Sequence, residues 1–95
     1  MQMTMSSNSI TIEGNIKSVN DYQEIKTSVN DLVSNHKEID MIIKDSLSIT
    51  SSVIGYLNKL VLKDGIKINM KIGDAQLMEL LEDLNLKKVF NARQI

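Results

Sequence analysis

The chain has no cysteine, no proline and no tryptophan, and its aromatic residues are two tyrosines and one phenylalanine. Without cysteine it forms no disulfide, carries no thiol chemistry and builds no zinc–cysteine site, as is usual in a reducing compartment. So few aromatic side chains leave little to stack on nucleic-acid bases. The absence of proline and of low-complexity tracts leaves no segment that would act as a linker between domains.

Neither sign of charge is in excess, because 11 basic and 12 acidic residues give a net charge of -1 and the two signs are interspersed along the chain. Binding to phosphate backbones generally needs a basic stripe, and Lys87-Lys88 is the only adjacent basic pair. No apolar run approaches the ~20 residues of a membrane span, and the first ten residues lack the cationic start of a signal peptide. We expect a cytoplasmic protein that binds no nucleic acid and is not inserted in a membrane.

A length of 95 residues predicts one domain, residues 1–95, with a small core. A deep substrate cavity would compete with that core for apolar side chains, which argues against an enzyme. We expect no cofactor and no metal. Met1, Met3 and Met5 have the spacing of one face of a strand rather than of a soft-metal site, and the glycines are too isolated for a phosphate-binding loop.

Hydrophobic periodicity predicts the order of the elements. "MQMTM" and "ITIEG" alternate with period two around the turn-forming "SSNS", as in a pair of strands. A helical stripe begins at Val19, and Asn20 or Asp21 is expected to cap it, with Glu24 completing a capping box after Asp21. The stripe consists of Val19, Tyr22, Ile25, Val29, Leu32 and Val33.

The second half of the chain continues the alternation of strand and helix. "IDMIIK" predicts a central strand, Ile39 to Lys44, and "IKINMKI" predicts a strand with one solvent-exposed face. A helix between them ends at Asp64-Gly65, and Asp74 caps a third helix. The apolar residues of these two helices are Ile54, Leu57, Leu60 and Val61, and Leu77, Leu80, Leu81 and Leu84. The order β-β-α-β-α-β-α predicts a small α/β domain with a mixed sheet and helices mainly on one face.

The segment "ITSSVIG" lies where the central strand gives way to the second helix. Thr50, Ser51 and Ser52 are all able to cap that helix by accepting a hydrogen bond from a free backbone N–H. A phosphate on one of these hydroxyls would be stabilised there as well, because the N-terminus of a helix favours an anion. Nucleophilic catalysis is a weaker interpretation, since the only histidine, His36, lies on a different connection. Both the cap and the modification site remain open.

The order of elements and this segment together resemble the STAS family, the domain shared by sulphate transporters and anti-sigma factor antagonists. The resemblance extends from about Ile10 to Phe90 and includes the ending "LNLKKVF". The family motif is an apolar residue followed by Asp-Ser-Ser/Thr-Gly, and this chain has Ile49-Thr50-Ser51-Ser52-Val53 there. Thr50 therefore replaces the Asp, and Val53 replaces the Gly with a β-branched side chain.

The resemblance implies a partner switch in bacterial signal transduction and transcription regulation. In anti-sigma factor antagonists, the anti-sigma factor is a serine kinase that phosphorylates the serine after the motif Asp, which corresponds to Ser51. Ser52 corresponds to the neighbouring Ser/Thr. The partner-binding surface implied by the resemblance consists of Thr50, Ser52, Val53, Ile54, Tyr56, Leu57 and Asn58.

Two other functions are consistent with the sequence. The first is a constitutive, unphosphorylated STAS subunit of a larger assembly, such as a lipid-transport ABC complex or a chemosensory or flagellar apparatus. The second, weaker one is an enzyme that uses Ser51 with a carboxylate. The acidic cluster Glu79, Glu82 and Asp83 is interpreted as the solvated face of a helix. The sequence does not predict an oligomeric state.

Overall fold

The computed structural model describes all 95 residues and has the predicted order of elements followed by one short additional strand. The elements are β1 (Gln2–Ser6), β2 (Ser9–Glu13), α1 (Val19–Val33), β3 (Glu38–Ile43), α2 (Ser51–Leu62), β4 (Lys67–Ile72), α3 (Ala75–Asp83) and β5 (Arg93–Gln94). The five strands form one sheet in the order β1-β2-β3-β4-β5. Only the β1–β2 pair is antiparallel, so the sheet is mixed and β3 is its central strand, as predicted.

The sheet has one buried face and one polar face. Ile10, Met41 and Met70 lie side by side on the buried face, and each is at most 1% exposed. Full burial of one such side chain contributes about 1.5–3 kcal/mol relative to exposure. Alternate residues of the same strands, such as Thr11 and Lys71, lie on the opposite face and stay in contact with water. The helices therefore cover one face of the sheet, which confirms the predicted small α/β domain.

The start of α1 differs from the prediction. Its N-cap is Ser18, whose Oγ accepts a hydrogen bond from the N–H of Asp21 at 3.0 Å, while the Asp21 carboxylate accepts from the N–H of Ser18 at 3.1 Å. The capping box therefore begins earlier than the predicted Asn20 or Asp21 and does not use Glu24. Val19 is the first helical residue and is 75% exposed, so it does not belong to the core.

The remaining differences lie near the end of the chain. Leu84 is 48% exposed because α3 ends at Asp83, one residue before it. The segment "LKKVF" forms turns that bury Phe90, and the chain then adds β5, which pairs Arg93 with Lys71 and Gln94 with Ile72. None of the three helices is long and apolar enough to cross a membrane.

Candidate functional site

The loop that precedes α2, residues 44–50, is held against the loop that follows β2. The N–H of Gly14 donates a hydrogen bond to Asp45 Oδ1 at 2.7 Å, and the N–H of Leu47 donates to Asn15 Oδ1 at 3.0 Å. Both loops follow the carboxyl ends of parallel strands, which is where sheets of this kind usually carry their binding sites.

Ser46 fixes the same loop from inside. It is the only buried polar residue of the chain, at 0% exposure. Its Oγ accepts a hydrogen bond from the N–H of Ile16 at 3.0 Å and donates one to the carbonyl oxygen of Ser48 at 2.6 Å. A buried hydroxyl with both bonds satisfied favours one loop conformation. The start of α2 is therefore presented in a defined position.

The N-cap of α2 is Thr50, one of the three residues whose side chains are able to cap it. Thr50 Oγ1 accepts a hydrogen bond from the N–H of Val53 at 3.3 Å, and the carbonyl of Thr50 accepts from the N–H of Ile54 at 3.0 Å. Ser51 and Ser52 are the first two residues of the helix, and both are exposed. Neither serine hydroxyl has a hydrogen-bond partner within the chain. Their hydroxyls are therefore free for chemistry or contact outside the domain.

The electrostatic surroundings of the two serines favour negative charge. The first turn of α2 contains no acidic residue, and the N–H groups of Ser51 and Ser52 lie in the part of the helix where no intrahelical acceptor exists. Ser52 also lines a shallow depression of about 360 Å³ that includes Lys17 and Ser18, so the starts of α1 and α2 lie beside each other.

The one carboxylate at this end of α1 is already engaged. Asp21 accepts hydrogen bonds from the backbone N–H of Lys17, at 2.9 Å, and of Ser18. The bond from Lys17 is the main reason that the pKa of the Asp21 carboxyl lies below its ordinary value. Asp21 therefore serves the cap of α1.

The partner-binding residues implied by the family resemblance do not all reach the surface. Ile54 and Asn58 are partly exposed, and their spacing from Ser51 places the three residues on one side of α2. We call Ser51, Ile54 and Asn58 the α2 strip. Val53 is 1% exposed and Leu57 is 0% exposed. The side chains of Val53 and Leu57 therefore pack into the core and are not accessible to a partner in this structure.

Tyr56 belongs to the contact between two helices. Its ring is half-buried, and its O–H donates a hydrogen bond to Asn30 Oδ1 and lies 3.4 Å from the carbonyl oxygen of Lys26. Burial is the main cause that raises the pKa of Tyr56 to about 12. Tyr56 therefore connects α2 to α1 in the free domain, and only its exposed part is accessible to another protein.

Sequence reasoning missed Leu47, which is 47% exposed in the loop before α2. Leu47 and Ser48 line a second depression, of about 310 Å³, together with Leu80 and Glu79 of α3. A single apolar residue between Ser46 and Ser48, outside both the strand and the helix, was the available signal. Leu47 adds an apolar group to the surface near the serines.

The other predicted candidates lie away from Ser51. His36 precedes β3 whereas Ser51 follows it, so the length of a six-residue strand, about 20 Å, separates them. His36 is therefore not placed to take a proton from Ser51. Glu79, Glu82 and Asp83 are exposed on or near one side of α3. No group of three or more His, Cys, Asp or Glu side chains could hold a metal ion.

Comparison with protein-family models, with curated proteins and with solved structures finds no match for this chain. The residues of this chain that bear on function are therefore those of the loop 44–50 and of the α2 strip.

Proposed function

We propose that this chain is a STAS-like regulatory domain that binds another protein through the start of α2 and releases it when a serine kinase phosphorylates Ser51. The observation that carries the proposal is the division of roles between Thr50 and Ser51. Thr50 caps the helix, and the exposed Ser51 hydroxyl neither caps it nor forms a hydrogen bond within the domain. In this proposal the domain performs no catalysis itself, and an anti-sigma factor with kinase activity is the expected partner.

Ser51 is favoured over Ser52 as the phosphorylation site because the two serines lie on different surfaces. Ser51 shares the α2 strip with Ile54 and Asn58, an uncharged and partly apolar surface that suits contact with a protein. Ser52 instead lines the depression between the starts of α1 and α2, beside Lys17. A phosphate on Ser51 would therefore stand in the proposed contact surface.

Phosphorylation of Ser51 would change binding without unfolding the domain. A kinase transfers the γ-phosphoryl group of ATP to Ser51 Oγ, which adds a charge of about -1.5 to -2. Within the domain the free N–H groups at the start of α2 stabilise that charge. At a docked interface the same charge would be buried against uncharged groups, which is costly. The complex would dissociate while α2 stays folded.

Two substitutions relative to the family motif affect this proposal differently. Val53 does not obstruct a partner, because its side chain is buried in the core. Thr50 keeps the capping function but lacks the carboxylate of the motif Asp, which favours the alternative of a constitutive, unphosphorylated subunit. The two functions predict different states of Ser51 in the cell.

The experiment is a measurement of the intact mass and phosphosite of the protein purified from its own cells, with Ser51→Ala and Ser52→Ala as matched variants. We expect a phosphorylated species in the wild type and in Ser52→Ala but not in Ser51→Ala. A protein that copurifies with the unmodified species and is absent from the phosphorylated one would establish the switch. An unmodified Ser51 under all growth and stress conditions, with one partner at fixed stoichiometry, would overturn the switch and support the constitutive subunit.

A further inference from the structure

Strand β1 lies at one edge of the sheet and pairs only with β2. The hairpin between them has a two-residue turn, Ser7-Asn8, and Ser6 pairs with Ser9. In such a hairpin the residues that flank the turn exchange hydrogen bonds, and hydrogen-bonded pairs then alternate along the ladder. The N–H and C=O groups of Gln2, Thr4 and Ser6 therefore point to β2, and those of Met3 and Met5 point away from the sheet.

The free edge of β1 lacks the features that usually prevent strands from pairing between molecules. Such features are charged side chains, prolines, bulges and very short strands. Strand β1 is five residues long, "QMTMS", and it is the only strand without a charged residue. At the opposite edge, β5 has two residues and carries Arg93. Only the β1 edge is therefore able to accept another strand.

The sequence of β1 is also complementary to itself. We propose that two copies of the chain pair antiparallel through β1, with Thr4 opposite Thr4 of the second copy and Met3 opposite Met5. The free N–H and C=O groups of Met3 and Met5 then form four hydrogen bonds across the two-fold axis. The two threonines form the non-hydrogen-bonded pair at its centre, with Cα atoms about 4.5 Å apart. The product is one continuous sheet of ten strands.

The side chains fit this pairing on both faces of the sheet. Met3 and Met5 share the buried side with Ile12 and Ile10, and Met5 is 43% exposed in the single chain. Met3 lines a depression of about 320 Å³ with Gln23, Glu24, Thr27 and Ser28 of α1. Because Met5 of the second copy would face Met3, its flexible thioether side chain would enter this depression. On the polar face Thr4 meets Thr4, a favourable cross-strand pair without charge repulsion.

This pairing does not depend on the proposed function of Ser51. Strand β1 is separated from β3 by β2, and α2 follows β3. Each copy would therefore keep its own α2 strip accessible. The contact is a single pair of strands and is small, so we expect a weak dimer that forms at high concentration.

The absence of cysteine allows a direct test by crosslinking, with Thr4→Cys and the control Thr11→Cys. Thr11 pairs with Thr4 on the same face of the sheet but lies one strand further from the axis. Cysteines at position 4 would lie within the 4.4–6.8 Å Cα separation of a disulfide, whereas those at position 11 would be about 14 Å apart. We expect mild oxidation to crosslink Thr4→Cys into a dimer and to leave Thr11→Cys uncrosslinked.

Sedimentation of the wild type and of variants with a charged residue at position 4 provides the second test. The wild type should approach twice its 10.7 kDa mass as its concentration rises towards millimolar. Thr4→Lys and Thr4→Glu should each remain monomeric, because like charges would lie directly opposite, and an equimolar mixture of the two should restore the dimer. A wild type that remains monomeric overturns the proposal and leaves the edge to a strand of another protein. A dimer that neither crosslinks at position 4 nor dissociates when charge is introduced there also overturns the proposal. Such a dimer would form through another surface.

Discussion

The Thr50 side chain accepts a hydrogen bond from the N–H of Val53 at 3.3 Å, and this bond leaves the adjacent Ser51 without a structural role. Three consecutive hydroxyl residues are chemically equivalent as caps, but only one of them precedes the first helical residue. The two serines that follow lie on the helix and face solvent.

We predict that Thr50→Ala destabilises the domain by about 1 kcal/mol, because the N–H of Val53 loses its acceptor. Ser51→Ala should change the free energy of unfolding by less than about 0.5 kcal/mol, since its side chain is exposed and unbonded. Urea unfolding followed by circular dichroism measures both variants. An equal loss in the two variants would show that Ser51 shares the cap and that its hydroxyl is not free.

A negative charge at position 51 should be tolerated by the fold. Ser51→Asp places a carboxylate at the start of α2, where it should stabilise the domain by about 0.3–1 kcal/mol at low ionic strength. Ser51→Lys, the matched control, should destabilise by a similar amount. Thermal unfolding at low and high salt checks this, since salt screens the effect. If both variants lose stability equally at low salt, the electrostatic account of this helix start is incorrect.

The fold was largely predictable from the sequence because its strands have one buried and one solvent-exposed face, so apolar and polar residues alternate along them. In β4, the alternation of Ile68, Met70 and Ile72 with polar residues matches the observed burial of each position. The two-residue β5 carries no such pattern and depends on pairing with Lys71 and Ile72, so sequence periodicity did not reveal it. The N-cap of α1 lies earlier than predicted because Ser18, Asn20 and Asp21 are all competent caps, and the path of the preceding loop decides which of them is used.

The start of α2 was predictable from the sequence, and the orientation of its side chains only in part. The change from strand to helical periodicity predicts Ser51 at the helix start, where the structure also has it. The family resemblance did not distinguish the side chains of α2 that reach the surface from Val53 and Leu57, which pack into the core. The helical period fixes which residues share a face, but which face is buried is decided by packing against α1 and the sheet.

Ser46 should be the residue of the loop before α2 that tolerates substitution least. Ser46→Ala leaves the buried N–H of Ile16 without its acceptor, and we expect a loss of about 1–3 kcal/mol. The control Ser48→Ala removes an exposed hydroxyl and should have little effect. Hydrogen exchange at Ile16 provides a local readout and should become faster in Ser46→Ala only. Unchanged exchange at Ile16 would contradict the role given to this hydroxyl.

Two glycines at this end of the fold should respond in opposite directions to alanine. A Cβ at Gly73 would overlap the carbonyl oxygen of Lys44, so the backbone must move, and we expect a loss of about 1–3 kcal/mol or more. A Cβ at Gly55 meets nothing within 4 Å, and alanine in the interior of α2 should stabilise by about 0.5–1 kcal/mol. Both changes are measured by chemical unfolding. Equal effects would contradict the close approach of Gly73 to Lys44.

The contact between α1 and α2 should make stability depend on alkaline pH. The unfolded chain ionises its tyrosines near pH 10, whereas burial raises the pKa of Tyr56 to about 12 in the folded domain. Between these values the folded state holds a proton that the unfolded state has released, so this contribution to stability is present below pH 10 and is lost as the pH rises. Tyr56→Phe should lack this part of the alkaline loss.

Tyr56→Phe also separates the hydrogen bond from the packing of the ring. At neutral pH it removes only the O–H that donates to Asn30, so we expect a loss of about 0.5–1.5 kcal/mol. Asn30→Ala removes the acceptor on α1 and should give a similar loss, and the double variant should cost less than the sum because the two changes break the same bond. Strict additivity would show that the Tyr56 hydroxyl and Asn30 do not stabilise the domain through a shared bond. In that case its hydroxyl would be available to a docking protein, as the family resemblance implies for Tyr56.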